Sequence, residues 1–352
     1  MTRELRYFEA INEATDLSMA GDPSVYLMGP GVPDPSGVFG TTLGLQDKYG
    51  EDRVMDIPTA ENGMTGVAIG SAMIGMRPIM THHRSEFALL AMEQIVNQAA
   101  KSQYVFGGTG IPLVIRMIVG RGWGQGPEHS QSLQAWFAHV PGLKVIMPTS
   151  PYDAKGLLIS AIEDNNPVVS IEHRWLYNTF GEVPEGVYRV PIGKARVVRE
   201  GNDITIVATS YMVLEAIKCA EALREVGVDA EVVDVRTLRP LDMDTICESV
   251  SKTGYLIAAD TGWRTGGFGG EIVAAVTERV FDSLKSAPRR IGLPDSPTPA
   301  SSSLVRHYYP GAQDIVNAAC EALGVSEAHL PTPKAGEGVP PDVPDPDFTG
   351  PF

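Results

Sequence analysis

The stretch DIPTAENGMTGVAIGSAMIGMRPI, residues 56–79, contains a predicted strand end, a helix and the start of another strand. Small residues recur between Gly63 and Gly75, and small residues allow a helix to approach another backbone closely. Glu61 stands at the start of this helix, where a carboxyl would be largely buried, and burial favours its protonated form. The pattern predicts a tight helix–helix interface and a carboxyl that can hold or share a proton, with a helix-capping glutamate as the open alternative.

Apolar strand-like runs alternate with helical patterns on both sides of this stretch. The predicted strands are SVYLM (24–28), RPIMTH (77–82), IPLVIRM (111–117), KVIMP (144–148) and PVVSIEH (167–173), with helices over 3–20, 87–104 and 150–164. The alternation restarts with strands at 204–210, 230–235 and 254–260 and helices at 211–226 and 265–281. This rhythm is typical of parallel sheets covered by helices on both faces, so the expected fold class is α/β with two doubly wound domains.

Length and composition predict the domain boundaries. A chain of 352 residues suits two domains, and a stretch rich in glycine and proline separates the two series of strands. We expect domains at 1–185 and 201–328, joined by a linker at 186–200. Residues 329–352 are rich in proline, which predicts an extended C-terminal tail. This tail is either loose or an arm that clamps a partner subunit through Phe348 and Phe352.

Charge and cysteine usage exclude several classes of protein. The 28 basic and 43 acidic residues give a net charge of −15, which argues against a binder of nucleic acid or of an anionic membrane. The three cysteines are far apart and match neither a disulfide framework nor a zinc site. The N-terminal stretch has no signal-peptide pattern, and no 18-residue window is free of charge and apolar. A cytoplasmic location is therefore expected.

A second informative block is GQGPEHSQSLQAWFAHVPGLKVIMPTSPYDAKGLL, residues 124–158. His129 lies there in a loop bracketed by glycine and proline, a position suited to acid–base chemistry or to an anionic group. A surface histidine without a chemical role is the alternative. The glycine-rich TGGFGGE at 265–271 does not match a dinucleotide fingerprint and is interpreted as a closely packed helix start.

The two blocks resemble a known family. Together with MEQIVNQAAKSQY (92–104), LRPLD (238–242) and GWRTGGFGGEI (262–272), they are similar to the β subunit of the thiamine-diphosphate-dependent decarboxylating component of 2-oxoacid dehydrogenase complexes, of pyruvate, branched-chain or acetoin type. The resemblance implies a pyrimidine-binding transketolase-like domain followed by a transketolase C-terminal-like domain. It also implies oxidative decarboxylation of a 2-oxoacid with acyl transfer to lipoamide. Half of a split transketolase-like or acyloin-forming enzyme without a lipoyl partner is the alternative.

The resemblance also assigns roles to single residues. Glu61 matches the glutamate that hydrogen-bonds the aminopyrimidine nitrogen of thiamine diphosphate and so activates the cofactor. Phe87 matches an aromatic residue that stacks on the aminopyrimidine, and Thr59 falls within the same cofactor-binding stretch. His129 matches a histidine near the reacting carbon that assists proton transfer or acyl transfer.

A structural potassium ion is a further implication of the resemblance. The matching ligand positions, which would bind through main-chain oxygens, are Leu113, Ala161, Ile162, Asp164 and Asn166. A helix C-terminus followed by a polar loop, with no ion, explains the stretch equally well.

The family's motif for the diphosphate and Mg²⁺, Gly-Asp-Gly followed by asparagine, does not occur in the sequence. The resemblance therefore implies that an α subunit holds both groups in an α₂β₂ assembly. A lipoyl acyltransferase core and a small-molecule 2-oxoacid are the other implied partners.

Some positions depart from the family pattern. In THHRSEF (81–87), His82, His83 and Arg84 replace apolar or amide-bearing residues. This run faces the substrate entrance or the α subunit, where its positive charge would suit an anionic group, or it lies on the solvated surface. Asp260 stands where a glutamate is usual.

Overall fold

A computed structural model describes residues 2–108, 110–120 and 124–325. The predicted Pro-rich tail at 329–352 lies outside the described residues. The chain divides into two compact units. The first consists of Met1–Val119, Trp136–Ile192 and Thr237–Pro240, and the second of Gly120–Ala135, Gly193–Arg236 and the chain from Leu241 onward.

The helices and strands follow one another in the predicted α/β alternation. In chain order they are β1 (Thr2–Arg6), α1 (Tyr7–Gly21), β2 (Val25–Met28), α2 (Leu45–Tyr49), β3 (Val54–Met55), α3 (Glu61–Met73), β4 (Arg77–His82), α4 (Ser85–Ala88), α5 (Ser102–Phe106), β5 (Val114–Val119), α6 (Gly126–His129), α7 (Gln134–His139), β6 (Lys144–Ile146), α8 (Pro151–Glu163), β7 (Val168–His173), β8 (Phe180–Pro184), β9 (Arg196–Arg199), β10 (Ile204–Ala208), α9 (Met212–Glu225), β11 (Ala230–Asp234), β12 (Thr237–Arg239), α10 (Met243–Thr253), β13 (Leu256–Trp263), α11 (Phe268–Val280), β14 (Arg289–Leu293), α12 (Ser302–Val305) and α13 (Ala312–Leu323). A π-helix spans Gln94–Ala99, and 3₁₀ turns occur at Leu89–Ala91, Arg174–Leu176 and Phe281–Ser283.

The first unit is built on a seven-stranded sheet in the order β12-β6-β7-β5-β4-β2-β3. All neighbours in this sheet are parallel except β12, which pairs antiparallel with β6 at one edge. The central strands β5 and β7 are buried along their whole length, as expected for parallel strands covered on both faces. The carboxyl ends of β3 and β4 therefore share one edge of the sheet, the edge at which open α/β sheets bind ligands.

Local sequence signals explain how the elements around this sheet begin. The Ser150 hydroxyl accepts a hydrogen bond from the Asp153 backbone N–H at 3.1 Å, and Pro151 is the first residue of α8. A serine cap followed by proline is a favoured helix start, because proline has no N–H to leave unpaired there.

The second unit is built on a five-stranded sheet in the order β14-β13-β10-β11-β9. Its neighbours are parallel except β9, which is antiparallel to β11. Helices α9 and α13 contribute many of the residues of the core cluster that packs against β10, β11 and β13. The predicted fold class, with two doubly wound α/β domains, is confirmed for the described residues.

Two local predictions differ from the structure. The first residues form β1, which pairs antiparallel with β8, whereas a helix from residue 3 was expected. The single helix predicted over 87–104 is divided into α4, a 3₁₀ turn, the π-helix and α5.

None of the helices in the described ranges is both long enough and apolar enough to cross a membrane. The cytoplasmic location stays a prediction.

Candidate active site

Glu61 is the first residue of α3 and follows the short strand β3. Its side chain is buried, with 6% relative exposure, whereas Thr59 two residues earlier is exposed. Ala60 is the N-cap, so Glu61 occupies the first helical turn, where the helix dipole favours a negative charge. The sequence prediction of a buried carboxyl at this strand–helix junction is confirmed.

Helix α3 presents one apolar face that no described residue covers. Val67 and Met73 on this face are each 55% exposed. A Cβ atom at Gly63 or Gly70 would meet nothing within 4 Å among the described residues. Glycine inside a helix costs about 1 kcal/mol relative to alanine, so packing within the described chain does not explain these two glycines.

The run His82–Arg84 begins at the last residue of β4, and this first residue is buried. His82 is fully buried, and its Nε2 lies 3.3 Å from the hydroxyl of Thr65, one turn after Glu61 on α3. His83 is half-buried and stacks on Phe39, with ring centroids 6.0 Å apart. Burial rules out the solvated-surface interpretation for His82.

Burial also determines the charge of the two histidines. It lowers the pKa of His82 to about 4, with a smaller effect from the neighbouring His83. Burial likewise lowers the pKa of His83 to about 4, and Arg116 and Arg84 add to this effect. Both rings are therefore neutral near pH 7. The positive charge expected for the two histidines is wrong, because the sequence pattern does not show that His82 is buried and His83 half-buried.

Phe87 lies in α4, half-buried, at the same end of β4. Both α3 and α4 pack against β4, so the elements that carry Glu61 and Phe87 meet at one edge of the first unit's sheet. His129 is the last residue of the one-turn helix α6 and belongs to the second unit. A cleft of about 550 Å³ in that unit is lined by Pro127, Glu128, Gln131, Trp263, Asp295, Ser296 and Pro297.

Comparisons with known proteins decide the family. Residues 3–179 match the family model "Transketolase, pyrimidine binding domain", and residues 193–315 match "Transketolase, C-terminal domain". The chain belongs to the transketolase family.

Relatives within this transketolase family are β subunits. The chain is 44% identical over 334 residues to the acetoin:2,6-dichlorophenolindophenol oxidoreductase subunit β of Cupriavidus necator, covering 92% of this chain and 98% of that protein. It is 43% identical over 325 residues to a pyruvate dehydrogenase E1 component subunit β of Oryza sativa subsp. japonica, covering 91% and 87%. The resemblance to β subunits of the pyruvate and acetoin type is confirmed.

A solved structure shows the same fold. A split gene transketolase, described as an inactive β4 tetramer, aligns with a TM-score of 0.73 over 91% of this chain and 99% of its own, at 24% identity. At this identity the likeness concerns the fold of the transketolase-family chain alone.

The residues of the first unit fit the pyrimidine half of a thiamine diphosphate site. A buried carboxyl and a half-buried aromatic ring lie on neighbouring elements at the ligand-binding edge of the sheet. Among the described residues, no group of three or more His, Cys, Asp or Glu side chains could hold a metal ion.

The predicted potassium ligands of this transketolase-family chain lie where α8 ends and shortly before β5 begins. The main-chain oxygens of Ile162 and Asp164 accept hydrogen bonds from Arg77 Nη1 at 3.0 and 3.1 Å. The oxygen of Leu113 accepts from the Val168 N–H at 2.9 Å, and the Asp164 carboxylate pairs with Lys144. A carbonyl oxygen has two lone pairs, so these oxygens can still bind a hard cation. Such a cation would lie near the Arg77 guanidinium. The potassium set, which also includes Ala161 and Asn166, stays a prediction.

Two polar contacts, one in each unit, have no signal in the local sequence. The contact of His82 with Thr65 and the bonding of Gln134 to Asp260, described below, join residues that are distant in sequence. No local motif indicates either contact.

The stability of the fold should decrease as the pH falls from 6.5 to 4, because of His82. In the native chain this ring gains a proton only near pH 4, whereas in the unfolded chain it does so near 6.5. The unfolded state therefore binds more protons between these values, and stability is lost as the pH falls from 6.5 to 4. The full contribution is about 3 kcal/mol. Urea unfolding at several pH values measures this loss.

A variant and a control measure how much His82 contributes to the pH dependence of stability. His82→Gln keeps an amide within reach of Thr65 and should reduce the decrease in unfolding free energy between pH 6.5 and 4, leaving the part that His83 contributes. His139→Gln, at an exposed position, should leave the slope as it is. Equal slopes for His82→Gln and the unmodified chain would contradict the prediction.

Proposed function

We propose that the chain is the β subunit of a thiamine-diphosphate-dependent 2-oxoacid dehydrogenase and that Glu61 activates the cofactor. The observation that carries this proposal is the buried carboxyl of Glu61 at the first turn of α3. The named functions of the relatives, pyruvate dehydrogenase and acetoin oxidoreductase, support the reaction class.

Each residue of the proposed site has its own role in cofactor binding or catalysis. Thiamine diphosphate, when bound, supplies a carbon nucleophile and an electron sink for decarboxylation. Glu61 holds a proton that it shares with the aminopyrimidine nitrogen, and its burial excludes water from that proton. Phe87 would offer a flat apolar contact to the cofactor, Thr59 would contribute to the same binding stretch, and His129 would assist proton or acyl transfer.

The uncovered face of α3 supports a second chain as part of the site. The exposed Val67 and Met73 and the open glycines Gly63 and Gly70 would be covered by an α subunit, which also supplies the diphosphate and Mg²⁺ ligands. We propose an α₂β₂ assembly, with acyl transfer to a lipoyl acyltransferase. A potassium ion at the five predicted oxygens belongs to the same proposal. A higher midpoint of thermal unfolding in KCl than in choline chloride would support it, and equal midpoints would contradict it.

The deciding experiment measures cofactor binding and turnover with and without the α subunit. The isolated chain should bind thiamine diphosphate with Mg²⁺ weakly in calorimetry, whereas the reconstituted pair should bind it and reduce 2,6-dichlorophenolindophenol with a 2-oxoacid or acetoin. Micromolar or tighter binding by the isolated chain would contradict the divided site. Turnover with aldehyde acceptors but none with a lipoylated domain would favour the split transketolase-like or acyloin-forming alternative.

Blocking the open face of α3 should prevent assembly. Gly70→Leu places a large side chain where no described residue lies within 4 Å, so the isolated chain should fold normally and fail to bind the α subunit. Gly21→Leu is the matched control, since Gly21 is also an exposed helical glycine with nothing within 4 Å, at the end of α1. Light scattering after size exclusion measures the assembly. Normal assembly of Gly70→Leu would place the partner on another surface.

A further inference from the structure

A buried polar cluster in the second unit connects the segment that carries His129 to the five-stranded sheet of that unit. Gln134, with 0% exposure, places Nε2 2.8 Å from Asp260 Oδ1 and 3.2 Å from Thr261 Oγ1. The same Asp260 Oδ1 accepts from the Thr209 hydroxyl at 2.6 Å and from the Thr261 backbone N–H at 2.9 Å. One carboxylate oxygen therefore joins Gln134 to the end of β10 and to the middle of β13.

The cluster is closely packed. A Cβ atom at Gly262 would lie 3.0 Å from Gln134 Nε2 and 3.2 Å from Asp260 Oδ2, so the glycine permits this approach. Burial raises the pKa of Asp260, while hydrogen bonds from Thr209, Gln134 and Thr261 oppose the rise.

Stability alone does not account for the cluster. Gln134 Oε1 is buried and has no hydrogen-bond partner among the described residues. A buried acceptor without a partner is costly, and apolar residues of similar size would fill the same space without that cost. Polar groups retained at such a cost suggest a functional requirement.

The segment between His129 and Gln134 contains several buried residues. His129 ends a single helical turn, and Gln134 is five residues later at the start of α7. Ser130 and Leu133 between them are also buried. The residues from 130 to 134 are therefore held within the second unit, and Gln134 provides one polar attachment.

We propose that Asp260, acting through Gln134, is a positioning residue for the segment that carries His129. The proposal rests on the proposed function for the role of His129 in proton or acyl transfer. Such transfer needs its donor and acceptor at hydrogen-bond distance, and a displacement of about 1 Å can cost about 100-fold in rate.

Paired variants test the attachment. Asp260→Ala removes the common acceptor and should lower kcat of the reconstituted enzyme by about 10- to 100-fold, with little change in cofactor affinity. It should also speed amide hydrogen exchange over 124–135 in the isolated chain. Asp260→Asn keeps an oxygen acceptor and should retain most of the activity. Glu215→Ala, which removes a buried carboxylate from α9, is the control for general loss of stability and should not change exchange in this segment.

Replacing the amide of Gln134 by a carboxyl gives a further readout, the pH dependence of activity. Gln134→Glu places two carboxyls about one hydrogen bond apart, so they repel unless they share a proton. Activity and exchange protection in Gln134→Glu should therefore recover as the pH is lowered. The double variant Gln134→Glu with Asp260→Asn restores one amide facing one carboxylate and should recover both at neutral pH.

The outcomes separate this proposal from the proposed function. Unchanged exchange over 124–135 in Asp260→Ala would overturn the positioning role. Faster exchange with unchanged kcat, in an enzyme that Glu61→Gln inactivates, would also overturn it. If exchange is faster in Asp260→Ala but turnover depends on neither Asp260 nor Glu61, the result would support the attachment of the segment and contradict the proposed function instead.

Discussion

Glu61→Gln should lower kcat of the reconstituted enzyme by about 100- to 10,000-fold, the range that a general acid–base group contributes. Glutamine can accept a hydrogen bond at this position, yet it cannot hold and return a proton. Shape and burial at the start of α3 are almost unchanged by the substitution, so cofactor affinity should change far less than kcat. Reduction of 2,6-dichlorophenolindophenol by the α–β pair measures the rate, and calorimetry measures the affinity.

The control for this variant is an exposed glutamate on a helix of the second unit. Glu221→Gln on α9 makes the same chemical change at the surface and should leave kcat as it is. An undiminished rate in Glu61→Gln would favour a different interpretation, in which the chain is a structural partner without a catalytic carboxyl. A parallel loss of kcat and of assembly would indicate that Glu61 contributes to the subunit interface.

The sequence predicts the parts of the fold that depend on local patterns. Apolar runs such as RPIMTH at 77–82 correspond to buried strands, and the Ser150–Pro151 start of α8 is a local signal. Strand β1, Thr2–Arg6, was missed because its mostly polar residues carry no strand pattern, and its partner is the distant β8. Helical periodicity over 87–104 does not distinguish α-helix from π-helix, so the divisions in this region could not be predicted.

In the candidate site, too, features that depend on local sequence could be predicted and features that depend on tertiary packing could not. Glu61 could be predicted because it stands between a strand end and an apolar helix, which together require its burial. The neutrality of His82 could not, because it depends on tertiary packing beside Thr65. A further signal is present in the sequence. Arg116 and Glu172 each lie inside a predicted buried strand, and two opposite charges in such strands indicate that they pair.

Glu172→Ala should lower the free energy of unfolding by about 3–5 kcal/mol, because it leaves a buried guanidinium without its partner. Both side chains of the pair are 1% exposed, and Arg116 donates from Nε and Nη2 to the two carboxylate oxygens of Glu172 at 2.6 and 2.9 Å. The Tyr177 hydroxyl donates to Glu172 Oε2 at 2.8 Å, and Arg116 Nη2 also donates to Thr41 Oγ1 at 3.0 Å. The substitution therefore disturbs a network at the centre of the seven-stranded sheet.

An exposed ion pair in the same unit provides the comparison. Arg189 and Glu163 form a similar two-bond pair at the surface, with a bond of 2.7 Å from Arg189 Nη2, and Glu163→Ala should cost about 0–1 kcal/mol. The double variant Arg116→Met with Glu172→Leu should recover most of the loss, since well-packed apolar residues often replace a buried ion pair without cost. Urea unfolding of all four chains measures the differences. If Glu172→Ala costs no more than Glu163→Ala, water must reach the guanidinium when its partner is removed, and the centre of the sheet is less tightly closed than its burial indicates.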